Sequence, residues 1–202
     1  MSKIFNSGVI AVIRTDNPQI ALTLGRAFSD TNISAIEVTM TVPDALFVVE
    51  RLIKEGVERV GVGTVRTVRT VEQAAKIGAS FVVSPHSDEA VIKMAVELGL
   101  DVTPGVFTPS EAVKAVQLGA TSVKLFPINA LGGISFVESI LEPLPDLPLV
   151  VSGGVLPEEV QSYLKLGVKG VCMGGALWTP EIAATGDVSR TREYALQALA
   201  RM

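Results

Sequence analysis

The chain has 202 residues, 48% of them hydrophobic and 19% charged, with a formal net charge of -4. This size and composition predict a single globular domain, residues 1–202, around one large core. The charge is spread along the chain without a basic run, so we expect no nucleic-acid partner. No apolar stretch reaches the ~20 residues that span a bilayer, and no membrane partner is expected.

The cysteine content and the N-terminus bear on the cellular compartment. The single cysteine, Cys172, excludes an internal disulfide framework and is interpreted as a packing residue of an apolar run. The first residues lack a charged segment followed by a long apolar one, which a secretory signal requires. These features predict a cytoplasmic protein.

Short β-branched runs alternate with longer segments of helical period from one end of the chain to the other. This pattern is typical of a repeated βα unit. The predicted strands are 9–13, 35–39, 59–62, 81–83, 101–103, 122–125, 149–151 and 170–173. The predicted helices are 17–29, 44–54, 71–77, 89–98, 110–118, 133–141, 158–166 and 190–200.

Continuous Val and Ile runs indicate strands that are covered on both faces, as in a parallel sheet inside a shell of helices. The first βα turn, at residues 13–17, lacks the glycine-rich fingerprint of a dinucleotide-binding open sheet. The predicted fold is therefore an α/β, single-domain (β/α)8 TIM barrel. In such barrels the reactive residues lie at the C-terminal ends of the strands.

Lys124 is the most unusual residue among those strand ends, because it lies within an otherwise apolar strand. Lysine is rarely buried without a partner. Burial disfavours the charged form, and the neutral amine is the nucleophile that attacks a ketone. Lys124 could equally be paired with a carboxylate, or extend out of the barrel top.

Glu37 is a second ionisable residue in a second apolar strand. A carboxyl group near a lysine can transfer protons while an imine forms and a carbon–carbon bond breaks. The alternative is a structural ion pair with Lys124 or Arg14.

Arg14 and Thr64 end two further strands and could bind the carboxylate of a keto acid. Arg14 could instead hold Glu37 in place, and a threonine at this position is often a helix cap or turn residue. His86, the only histidine, is interpreted as a loop residue near the mouth of the site.

Glycine pairs follow the last two strands, at Gly153-Gly154 and Gly174-Gly175. They allow backbone N–H groups to point into the region where barrels commonly bind phosphate, although glycine pairs also form ordinary tight turns. One histidine and one cysteine provide no His/Cys metal ligand set, so we expect neither a metal nor a cofactor.

Motifs along nearly the whole chain resemble the bacterial 2-keto-3-deoxy-6-phosphogluconate (KDPG) aldolases, with their 4-hydroxy-2-oxoglutarate (KHG) and 6-phosphogalactonate (KDPGal) relatives. The resemblance lies in the order of Ile10-Ala11-Val12-Ile13-Arg14, Ile36-Glu37-Val38-Thr39, Val62-Gly63-Thr64-Val65, Val83-Ser84-Pro85, Thr103-Pro104-Gly105-Val106, Val123-Lys124-Leu125-Phe126-Pro127, Ser152-Gly153-Gly154-Val155 and Gly174-Gly175.

This resemblance implies a Schiff base on Lys124, acid/base catalysis by Glu37 and carboxylate binding by Thr64. It also implies that Pro85 and Phe126 shape the pocket and that Arg14 binds substrate. The glycine pairs would receive a distal phosphate, and the enzyme would be a homotrimer that splits a keto acid to pyruvate and an aldehyde.

The chain departs from the family pattern at two positions. Thr41 stands where some members have an arginine, which places more of the carboxylate binding on Arg14. Ala176 stands where a serine often binds phosphate, so the preference for a phosphorylated substrate is open. A phosphate-binding isomerase or epimerase, and a barrel that only senses a keto acid, are the alternatives to an aldolase.

Overall fold

The computed structural model describes residues 8–202. The strands are β1 (Val9–Ile13), β2 (Ala35–Thr39), β3 (Val60–Gly63), β4 (Phe81–Val83), β5 (Asp101–Thr103), β6 (Gly105–Val106), β7 (Val123–Leu125), β8 (Leu149–Val151) and β9 (Gly170–Met173). They form one parallel sheet in the order β5-β4-β3-β2-β1-β9-β8-β7-β6.

The α-helices lie between and after these strands. They are α1 (Pro18–Ser29), α2 (Ala45–Lys54), α3 (Val68–Lys76), α4 (Glu89–Glu97), α5 (Pro109–Gln117), α6 (Ile128–Leu131), α7 (Ile134–Leu141), α8 (Val160–Lys165), α9 (Pro180–Ala184) and α10 (Val188–Leu199), with a 3-10 turn at Pro157–Glu159. None of the helices within 8–202 has the length and apolar character to cross a bilayer.

The predicted barrel is confirmed, with its fifth strand divided into β5 and β6 at Pro104. Proline has no N–H to donate to a neighbouring strand, so regular pairing stops there. β5 pairs with β4 on one side and β6 pairs with β7 on the other. The N–H of Lys124 donates to the carbonyl of Pro104 at 2.8 Å, which links the two ends of the sheet.

Most predicted element bounds agree with the structure, and the differences have local causes. The third strand begins at Val60 because Arg59 has a left-handed φ of 53°. Helix α3 begins at Val68, earlier than predicted, because the side chain of Thr67 caps its first turn. The short helices α6 and α9 were not predicted, although Thr179 and Pro180 carry the cap and first-turn signals for α9.

Apolar residues pack in two clusters, because alternate strand residues face inward and outward. The larger cluster lies between the sheet and the helices. The smaller one fills the barrel interior and includes Ile10, Phe81 and Val150. Gly61 leaves room for the ring of Phe81, since a Cβ there would lie 2.6 Å from the ring carbons.

The fit between Gly61 and Phe81 predicts a stability difference between two glycine substitutions. Gly61→Ala should lower the free energy of unfolding by about 1–3 kcal/mol through overpacking. Gly175→Ala is the matched control, because its Cβ would meet no atom within 4 Å and its φ is not left-handed. Urea denaturation of both variants measures the difference, and equal midpoints would contradict this packing.

Candidate active site

A cavity of about 440 Å³ opens at the C-terminal ends of β1, β7, β8 and β9. It is lined by Val12, Arg14, Phe126, Ser152, Gly153, Gly154, Val155, Cys172, Met173, Gly174, Gly175, Ala176 and Trp178. Six of the predicted site residues are therefore brought together here. Another cavity, of about 300 Å³, lies at the opposite end of β2 and β3 and contains none of them.

Lys124 is buried in the middle of β7, between Gly105 on β6 and Val150 on β8. Its side chain is 6% exposed, and Nζ lies 4.8 Å from the centre of the Phe126 ring. Within residues 8–202 it forms no ion pair and no side-chain hydrogen bond. The predicted alternatives of a carboxylate-paired or outward-extended lysine do not describe this geometry.

Glu37 lies on β2, on the opposite side of the barrel from Lys124. Only 3% of it is exposed, and its carboxyl group occupies the space that a side chain at Gly63 would need. Burial raises the pKa of Glu37, while the positive charges of Lys124 and Arg14 lower it to a smaller extent. Glu37 contacts neither cation as an ion pair, so its charge interacts with both through space.

The Lys124 amine and the Glu37 carboxyl group keep a small accessible surface although both residues are buried. Within residues 8–202, the only enclosed side-chain nitrogen or oxygen without a hydrogen-bond partner is Trp178 Nε1. Lys124 Nζ and the Glu37 oxygens make no hydrogen bonds there either, so they must retain some accessible surface. Neither residue lines the cavity of about 440 Å³, but Phe126 and Cys172, which do, lie next to Lys124 and interact with Lys124 and Glu37.

Arg14 follows β1 at the edge of the cavity. It is exposed and forms no ion pair with the residues that the structure describes. Its guanidinium is free to bind a carboxylate, and its charge also acts on Glu37.

Thr64 and Pro85 lie at the same end of the barrel but do not line this cavity. Thr64 directly follows Gly63 and has a φ of 59°, a left-handed value that is uncommon for a side chain other than glycine. It does not cap α3, since Thr67 does so. The carbonyl of Pro85 packs against Gly105, which neighbours Lys124 across the sheet.

The two glycine pairs differ in whether their backbone conformation and packing require glycine. Gly153 and Gly154 have φ values of 89° and 81°, and a Cβ on either would press on Pro127 or Asn129. These two serve the turn as well as the cavity. Gly175 has no such requirement, because a Cβ there would meet nothing within 4 Å.

Cys172 and Trp178 line the cavity but were not predicted as site residues. Cys172 is 7% exposed and points into the barrel interior. Burial raises the pKa of its thiol to about 12, with a further contribution from the charge of Glu37. Strand alternation with Gly170 could have placed Cys172 on the inner face, whereas no sequence signal indicates where Trp178 lies.

His86 lies in the loop after β4, is exposed, and is not part of the cavity. Its Nδ1 lies 3.3 Å from the hydroxyl of Ser84. This agrees with its interpretation as a loop residue.

The fold and these side chains define a barrel with a buried lysine and a buried carboxyl group, and comparisons with known proteins identify the family. The family model "KDPG and KHG aldolase" matches residues 1–193. A probable 2-dehydro-3-deoxy-6-phosphogalactonate aldolase of Rhizobium meliloti is 35% identical, over 95% of this chain and 90% of its own. The KHG/KDPG aldolase of Escherichia coli K12 is 30% identical, over 95% and 90% respectively.

Among solved structures, a KDPG aldolase from Legionella pneumophila superposes with a TM-score of 0.86 at 27% identity, covering 96% of this chain and 95% of that one. That crystal structure contains pyruvate captured as a covalent carbinolamine intermediate. The chain belongs to the KDPG and KHG aldolase family. It is accordingly an aldolase, a carbon–carbon lyase, as the resemblance implied.

The raised pKa of Glu37 predicts a pH-dependent effect of Glu37→Gln on stability. The folded protein holds a proton on Glu37 more tightly than the unfolded chain does, so native stability is lost as pH rises above the ordinary value of 4.5. Glutamine does not titrate. The melting temperature of Glu37→Gln, relative to the native protein, should therefore be higher at about pH 8 than at about pH 4.

Differential scanning calorimetry across this range provides the measurement. Glu72→Gln, on an exposed helix position, corrects for the change in net charge. A constant difference between the Glu37→Gln and native curves at all pH values would contradict a Glu37 pKa that burial raises.

Proposed function

We propose that Lys124 attacks the keto group of a 4-hydroxy-2-keto acid and that Glu37 transfers the protons of the reaction. The observation that carries this proposal is a buried lysine without an ion-pair partner, facing a buried carboxyl group across one barrel. The carbinolamine in the Legionella enzyme supports the same chemistry.

The proposed reaction begins when Lys124 Nζ, as the neutral amine, adds to the C2 carbonyl and passes a proton to the new alkoxide, which gives the carbinolamine. Glu37 as carboxylic acid then donates a proton to the carbinolamine hydroxyl, which leaves as water, so that an iminium ion and a Glu37 carboxylate result. Glu37 as carboxylate then takes the proton of the C4 hydroxyl. The C3–C4 bond breaks, its electron pair moves toward the iminium nitrogen, and the aldehyde leaves. Protonation of the enamine at C3 and hydrolysis of the imine release pyruvate and restore Lys124.

The remaining predicted residues have binding roles in this proposal. Arg14 and Thr64 hold the carboxylate of the keto acid, with Arg14 replacing the arginine that some family members have at the position of Thr41. Pro85 and Phe126 shape the pocket around the reacting carbons. The backbone N–H groups of the two glycine pairs, Gly153-Gly154 and Gly174-Gly175, receive the distal end of the substrate.

The proposed substrates are KDPG, cleaved to pyruvate and glyceraldehyde 3-phosphate, and KHG, cleaved to pyruvate and glyoxylate. KDPGal is a second candidate, because the Rhizobium relative carries that name. The two phosphorylated compounds differ in the configuration at C4, which depends on how the aldehyde portion lies beside the cavity.

The proposal also includes three predictions from the sequence, namely that the chain forms one domain, assembles as a homotrimer and acts in the cytoplasm. Phe107, which is 46% exposed beside β6, offers an apolar contact for a second subunit. Leu131 and Phe136 are partly buried against the core and are two further apolar residues for such a contact. Size-exclusion chromatography with light scattering measures the assembly directly.

Steady-state kinetics with KDPG, KDPGal and KHG test the proposed function. We expect pyruvate release from at least one of the three, and Lys124→Met should reduce kcat by roughly a thousandfold or more because the nucleophile is gone. Methionine keeps the buried volume without the amine. Pyruvate release that survives in Lys124→Met, or no release from any of the three, would contradict the proposal.

A further inference from the structure

Trp178 contains a buried hydrogen-bond donor that no protein atom satisfies. Its Nε1 is the only such side-chain atom within residues 8–202. A buried donor without an acceptor has lost its water partners without replacement, which makes it rare in folded proteins and a reason to look for an absent ligand. The ring as a whole is only partly buried, so its polar edge is the enclosed edge.

The position of Trp178 indicates which ligand could supply the acceptor. Trp178 lines the same cavity as Arg14 and the two glycine pairs. The cavity lining contains one cation and no carboxylate. With Arg14 assigned to the substrate carboxylate, the backbone N–H groups of the glycine pairs remain as donors and no carboxylate repels an anion, so a second acceptor-rich anion fits this cavity better than a cation.

The loop that carries Trp178 has room for such a ligand. Gly175 has open space where its side chain would be, and its backbone does not require glycine. Ala176 contributes no hydroxyl to the cavity. The indole N–H is the one side-chain donor on this loop, from 174 to 178.

We propose that Trp178 is a specificity-determining residue, whose indole N–H donates a hydrogen bond to the distal phosphate of the substrate. The inference rests on the proposed aldolase function and names the group that recognises the phosphate in this chain. Because Nε1 is enclosed in this structure, the proposed hydrogen bond requires the indole to turn toward the cavity when the phosphate binds. Trp178 thereby takes the place of the hydroxyl that Ala176 lacks.

Trp178→Phe removes the N–H and keeps an aromatic ring. The test compares kcat/KM for KDPG, or for KDPGal if that is cleaved faster, with kcat/KM for the same sugar acid without its phosphate. The preference of the native enzyme for the phosphorylated compound should fall about tenfold in Trp178→Phe, mainly through KM, since a hydrogen bond to a charged group is lost. For the unphosphorylated compound, kcat/KM should change less than it does for the phosphorylated one.

Adding Ala176→Ser to Trp178→Phe is the rescue, because it places a hydroxyl on the same loop and should restore part of the preference. A native enzyme without phosphate preference, or a Trp178→Phe variant that keeps the native preference, would overturn the proposal. Pyruvate trapping on Lys124 stays positive in those cases if only this inference is wrong. If pyruvate were not trapped on Lys124 either, the proposed aldolase function itself would be wrong.

Tryptophan fluorescence provides an independent measurement, because Trp178 is the only tryptophan in the chain. Glycerol 3-phosphate should change the emission in a saturable way, and glycerol at the same concentrations should not. An emission spectrum that is unchanged by glycerol 3-phosphate would overturn the proposed movement of the indole.

Discussion

A lysine and a glutamate are buried inside the same barrel without forming an ion pair with each other, and the proposed chemistry depends on this separation. A contact ion pair would hold the amine and the carboxylate in their charged forms and remove both from reaction. Here the two groups interact only through space, while burial raises the pKa of Glu37. Phe126 and Cys172, which line the cavity, separate it from the two groups.

The surrounding residues maintain this arrangement by shape more than by hydrogen bonds. Gly63 leaves room for the Glu37 carboxyl group, and the ring of Phe126 lies beside the Lys124 amine. The break at Pro104 lets β6 pair with β7 beside Lys124, while the Pro104 carbonyl holds the Lys124 backbone. Substitutions at these positions would move the reacting groups without replacing them.

Much of the fold could be predicted because strand and helix signals alternate regularly and most boundaries carry glycine, proline or a capping residue. Lys124 and Glu37 could be identified for a similar reason, since an ionisable residue interrupts an apolar strand. The left-handed φ of Thr64 could not be predicted, because a β-branched residue rarely adopts it. The orientation of the Trp178 ring also depends on packing that no local pattern encodes.

The central claim is that Lys124 is the nucleophile, and trapping its imine tests this most directly. The protein is incubated with pyruvate and borohydride, its intact mass is measured, and the modified peptide is mapped. The account predicts one reduced pyruvyl adduct per chain, on Lys124, and none on the Lys124→Met variant. An adduct on another lysine, or no adduct on the native protein, would contradict it.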